Sequence, residues 1–201
     1  MKACSYLIRR HFLAAAAVLA SATAAAQGWP NRGLRLIVPF APGGSTDIVA
    51  RLVAERLSAS LAQPVVVENR AGAGGNIGAE AVAKAAPDGY TMLHTSSAHA
   101  LLPAFNKLPY DPVKDFTPIG LIATTPLVGV VQPRMEVSTL ADLIAWLKAR
   151  PGKATYGSYG NASMAHLAGE LLKSMTGVDM VHVPYKGSGP LQTELMAGQI
   201  T

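Results

Sequence analysis

The 201-residue chain has a single cysteine, Cys4, so disulfides and thiol chemistry play no part in the fold. Acidic residues are absent from the first 46 positions; Asp47 is the first. Only 14% of residues are charged while half are hydrophobic, a globular composition with ample core. No His-Glu-x-x-His pattern or other metal-ligand spacing occurs among His94, His99, His166 and His182. No Gly-x-Ser-x-Gly elbow surrounds Ser158 or Ser163, and no Gly-Lys-Ser/Thr phosphate loop is present. No pair of catalytic carboxylates stands out, because Asp111 and Asp115 lie in a proline-rich stretch that favours turn and capping roles.

The acid-free start reads as an export signal. Lys2, Arg9 and Arg10 form a basic head, residues 12–20 an apolar middle, and Ala24-Ala25-Ala26 a small-residue cleavage site, so residues 1–26 leave and Gln27 begins the mature chain. The run is too short and alanine-rich for a good membrane span. Arg9-Arg10-His11-Phe12-Leu13 resembles a twin-arginine motif, with Ile8 and Ala14 departing from it. Without Lys2, Arg9 and Arg10, 14 basic residues face 12 acidic ones, a net charge of +2. The whole-chain charge of +5 is therefore largely a signal effect and gives no basic stripe for nucleic acid.

The rest alternates strand and helix patterns, which predicts an α/β architecture with a mainly parallel sheet. Strands are expected at 34–40, 64–68 (short and buried), 91–95, 155–158 and 180–184. Helices are expected at 46–61, 77–86, 138–150, 164–175 and 190–197. The first should bury Ile48, Val49, Leu52, Val53, Leu57 and Leu61, Ser138 should cap the third, and Gly177 should close the fourth. From Leu101 to Pro118 the period breaks, which we read as a long ordered loop after a short helix, followed by apolar runs at 119–123 and 127–131. The chain stops at Gln199-Ile200-Thr201, where another strand is expected, so we read it as C-terminally truncated.

Three glycine-bearing turns carry the functional signal. "PFAPGGSTD" joins a strand to a helix whose free N–H groups point into the loop, an arrangement that favours an anion. "YGNAS" and "VPYKGSGP" repeat the arrangement, the latter with Lys186. The same glycines also suit a plain turn, and Asp47 suits the positive end of its helix dipole. "ENRAGAGGNIG" looks like a dinucleotide loop but misplaces the third glycine, with Ile77 in its stead.

Taken in order, "WPNRGLRLIVPFAPGGSTDIVARLVAERL", "VVVENRAGAGGNIGAEAVAKAAPDGYTML", "LPYDPVKDFTPIGLIA", "YGSYGNASMAHLAGELL" and "VPYKGSGPLQTELMAGQI" resemble the periplasmic solute-binding proteins of tripartite tricarboxylate transporters, the Bug family. The resemblance implies a two-lobed type II periplasmic-binding fold, with lobes at 27–123 and 124–201. It implies a small organic carboxylate bound between the lobes and passed to membrane permease subunits. With no cofactor or metal pattern and no basic stripe for nucleic acid, none of these is expected, and a monomer is the default. The resemblance places Phe40, Pro42, Gly43, Gly44, Thr46 and Asp47 in a first-lobe loop, with Ser96 and Ser97 as a second contact. Gly160, Asn161, Ala162 and Ser163 form the second-lobe loop, beside Lys186 and Gly187. Two other readings stay open. One is a ligand sensor for a signalling kinase. The other is an exported α/β hydrolase drawing on Ser96, Ser97, Ser163, His99 and His166, which needs a Ser–His pair within hydrogen-bond reach.

Overall fold

A computed structural model describes residues 28–201. The expected export signal, and Cys4 with it, lies outside them.

β1 (Leu34–Val38) is the middle strand of a parallel sheet ordered β2-β1-β3, with β2 at Val65–Asn69 and β3 at Thr91–Leu93. Leu34 stands opposite Val65 and Arg35 opposite Thr91. Leu34, Leu36, Ile37 and Val38 are all buried, as a strand covered on both faces requires. β2 was expected to be buried, but it is an edge strand with Val66 57% exposed. Glu68 on this edge binds Arg35 at 2.7 Å and Arg70 at 2.5 Å.

α1 (Ser45–Leu61) crosses from β1 to β2. Its buried positions are Asp47, Ala50 and Ala54, with Leu57 and Leu61 partly covered. Ile48 and Leu52, expected inside, are exposed by 53% and 59%. Both stripes have helical spacing, so periodicity alone could not choose between them. The Asp47 contacts described below fix the rotation, and alanine lets the helix lie close to the sheet.

α2 (Asn76–Ala83) follows a 3-10 turn at Ala73–Gly75, and α3 (Ala98–Phe105) follows β3. The short helix expected ahead of the irregular stretch is α3, which runs through Leu101–Phe105 despite Pro103, with Leu102 anchoring it at 1% exposure. Asp111 accepts N–H groups from Val113 and Lys114, the turn role its setting favours. The apolar run at 119–123 forms neither helix nor strand, and Ile119 and Leu121 are more than four-fifths exposed.

The second sheet pairs β4 (Ala154–Ser158) with β5 (Met180–Pro184) in parallel, Tyr156 standing opposite His182. α4 (Leu140–Lys148) precedes it, α5 (Met164–Thr176) connects its strands, and α6 (Ser188–Met196) follows. Leu147, Ala154, Val178 and Met180 form its core. The N-cap of α4 is Thr139 rather than Ser138. Thr139 Oγ1 accepts the Asp142 N–H while Asp142 accepts the Thr139 N–H, so two free donors are satisfied reciprocally. Gly177 closes α5 in the left-handed conformation, as its position predicts.

Candidate functional site

The loop after β1 is held from within. Asp47 is 3% exposed. Its Oδ2 accepts the Gly43 N–H at 2.9 Å and Arg51 Nε at 3.0 Å, and its Oδ1 accepts Asn69 Nδ2 at 2.9 Å. Asn69 Nδ2 also donates to Phe40 O at 3.0 Å, and Arg51 binds Asn69 Oδ1 at 3.1 Å. One carboxylate, one guanidinium and one amide thus pin both ends of Phe40–Gly43. Burial pushes the Asp47 carboxyl up, but the bonds from Arg51, Gly43 and Asn69 outweigh it and hold the group below its ordinary value. Asp47 therefore shapes the loop with both of its oxygens turned inward.

Parallel strands put their C-terminal loops at one end of each sheet, and here the loops of the two sheets meet. The Ala41 N–H donates to Lys186 O at 2.7 Å, and the Ser45 N–H donates to Ser188 Oγ at 3.2 Å. A Cβ added at Gly187 would lie 3.2 Å from Ala41 N, and one at Gly189 would lie 2.9 Å from Pro42 O. A second junction lies alongside. A Cβ at Gly74 would stand 2.5 Å from Asn161 O, and one at Gly160 3.4 Å from Gly74 Cα. Phe40 joins the two junctions, its ring end 3.6 Å from a Cβ built at Gly75 and its own Cβ 3.5 Å from one built at Gly187. Four glycine-bearing loops therefore form one ring. Around it α1, α2 and α6 begin on Gly44, Gly75 and Gly187, none with a side-chain cap of its own.

Of the residues singled out in sequence, Phe40, Gly44, Gly160, Ala162, Ser163 and Gly187 are buried at or beside these junctions, and Thr46 is half-buried. Pro42, Gly43, Asn161 and Lys186 are exposed on the rim. The direct contacts between the sheets' loops are two. "PFAPGGS" meets "KGSG", while "YGNA" meets Gly74. Ser96 and Ser97 sit at the same end of the first sheet, at the start of α3, and neither side chain makes a hydrogen bond to the second sheet's loops among the described residues. Sequence reasoning missed Gly74, Gly75 and Ser188. The signal was available: "AGAGG" follows a strand of the same sheet, and Ser188 opens a helix.

The described residues include one side-chain contact between a serine and a histidine, Ser158 Oγ to His182 Nε2 at 2.7 Å. Neither residue is among the hydrolase candidates. Ser158 is fully buried, and its hydroxyl is also bound to Gly160 O and Gly160 N, at 3.0 and 3.2 Å. The candidates themselves are engaged elsewhere: Ser163 Oγ accepts the His166 backbone N–H, and His99 Nε2 lies 3.0 Å from Pro112 O. Among the described residues no group of three or more His, Cys, Asp or Glu side chains could hold a metal, and no helix is long and apolar enough to cross a membrane.

Solved periplasmic binding proteins superimpose well on this arrangement of two sheets with facing C-terminal loops. A periplasmic transporter matches with a TM-score of 0.76 at 46% identity, covering 86% of this chain and 59% of that one. An R. palustris protein solved with adipate matches with a TM-score of 0.82 at 43% identity, covering 86% and 58%. MatC from Rhodopseudomonas palustris, solved with bound malate, gives 0.77 at 35%, covering 86% and 59%. Protein BugT of Bordetella pertussis is 44% identical over 192 residues, 94% of this chain and 58% of BugT. The model of the TctC family, the tripartite tricarboxylate transporter family receptors, matches residues 49–201. The chain belongs to that family, and it spans a little under three-fifths of the length of these relatives.

Proposed function

We propose that the chain supplies the ligand-gripping loops of a non-catalytic, extracytoplasmic receptor for a small organic carboxylate. The observation that carries this reading is the two-sided ring of glycine loops. The starts of α2 and α6, which carry no side-chain cap, and of α1, whose first N–H is held by Ser188 Oγ, converge there from both sheets, an arrangement that favours an anion without a buried arginine. Adipate and malate in two structural relatives support the ligand class. The lobes are 27–123 and 124–201, residues 1–26 direct export to the periplasm, and the monomeric receptor hands its ligand to membrane permease subunits. Phe40, Gly43, Gly44, Thr46, Gly160, Asn161, Ala162 and Gly187 line the grip, Ser96 and Ser97 border it, and Lys186 adds positive charge at the rim. Micromolar capture, about 8 kcal/mol, suits a receptor that must also release.

Calorimetry with mono-, di- and tricarboxylates tests the reading. Saturable micromolar binding of at least one is expected; a folded protein that binds none of them refutes it.

A further inference from the structure

Two histidines lie against the second-sheet loop, and both hold it. The His166 and His182 rings stack with centroids 4.0 Å apart and planes 10° apart. His182 Nε2 meets Ser158 Oγ, which in turn binds both the N–H and the carbonyl of Gly160. His166 closes a reciprocal cap on α5. Its backbone N–H donates to Ser163 Oγ at 3.3 Å, while its ring Nδ1 accepts the Ala162 N–H at 3.2 Å. The imidazole thus resembles the Glu or Gln of a capping box, but it takes the N–H of the residue before the N-cap rather than that of the N-cap itself. The bond also holds Ala162 at φ 61°, a left-handed conformation that a side chain disfavours. An N–H donor needs a lone pair, so the Ala162 bond can form only with a neutral ring that carries its proton on Nε2.

We propose that His166 is a positioning residue for the binding loop Gly160–Ser163, that it acts only as the neutral imidazole, and that anion capture therefore weakens on acidification. The ligand part rests on the carboxylate-receptor reading above; the loop part does not.

The groups that face the histidine pair are few. β4 contributes Tyr156, whose ring lies 4.9 Å from His182; β5 contributes His182 itself; α3 contributes the uncharged Phe105. On its own helix His166 has Glu170 and Lys173 nearby. Glu170 already accepts Tyr156 OH at 2.7 Å and Lys173 Nζ at 3.0 Å, so its charge is shared. Burial, then the neighbouring His166, lowers the His182 pKa, with Glu170 opposing. A depressed histidine stabilises the fold above its ordinary pKa of about 6.5, and that contribution is lost as pH falls through its lower folded value. The sign agrees with loosening of the loop in acid.

The test compares wild type, His166→Gln and His166→Ala. Adipate and malate binding is measured calorimetrically from pH 8 to pH 5.5, and amide hydrogen exchange of Gly160–Ser163 is measured without ligand. Glutamine keeps an acceptor at every pH, and it shares any protonation of the ligand, so the difference between its profile and that of wild type isolates His166. Wild type should weaken by about fivefold or more in acid relative to the glutamine variant, the worth of about one hydrogen bond. His166→Ala should bind about fivefold more weakly already at pH 8, with faster exchange at Ala162. Parallel wild-type and glutamine profiles, or full affinity in His166→Ala, overturn the proposal. If wild type binds neither carboxylate, the receptor reading fails and exchange alone decides: equal Ala162 protection in wild type and His166→Ala overturns the loop role.

Discussion

Asp47→Asn separates a loop-shaping carboxylate from a ligand-touching one. The carboxylate accepts three bonds, from Gly43, Asn69 and Arg51. Asparagine keeps one acceptor oxygen and turns the other into a donor. If that donor faces Asn69, the Asn69 amide must flip and abandon Phe40 O; otherwise it opposes the Gly43 N–H. Either way roughly two bonds are lost. The Arg51 contribution is small, because its side chain is 53% exposed. At about 1–1.5 kcal/mol for each bond lost, the cost is about 2–3 kcal/mol. For a chain of this size that lowers Tm by roughly 4–12 °C. The pH dependence provides a second check. The Asp47 carboxyl sits below its ordinary pKa, so its contribution is full above about pH 4 and is lost as pH falls through the lower folded value. The Tm gap between variant and wild type should therefore be wide at pH 7 and close in strong acid. Thermal melts read both. An unchanged Tm at pH 7 with a tenfold loss of carboxylate affinity would refute the reasoning and turn Asp47 towards the ligand.

Gly44→Val should act the other way. At φ −80° the backbone accepts a side chain, but its Cβ would meet Ser188 Oγ at 2.6 Å across the junction. Calorimetry should show carboxylate affinity down by about tenfold or more, while Tm moves by only a few degrees. A Tm collapse in this variant would instead make the loop structural. Thr139→Ala breaks the capping box of α4, far from the ring in sequence. It should cost about 1 kcal/mol, read as a lower denaturation midpoint, and leave adipate affinity unchanged.

Elements with explicit end signals were legible in the sequence. Met180–Pro184 and the start of α5 at Met164 fall where the residues place them, and Gly177 ends its helix through a conformation only glycine adopts cheaply. The rotation of α1 was not legible, because the Ile48/Leu52 stripe and the Ala50/Ala54 stripe share one period and the deciding contacts run to Asn69, 22 residues from Asp47. The site was half legible. Glycine turns after strands identified the loops, but which loop meets which depends on how the two sheets face each other. "AGAGGN" fails the spacing of a nucleotide motif, and only its place at the end of a strand signals its role at the junction. The Ser158–His182 contact spans 24 residues and arises only from the register of β4 beside β5.

If four loops grip one anion from both sides, an NMR titration with adipate should shift the backbone amides of all four together. The largest shifts are expected at Gly43–Thr46, Gly74–Asn76, Gly160–Ser163 and Gly187–Gly189, all saturating with one affinity. Saturable shifts confined to one sheet's loops, or centred away from them, would contradict it.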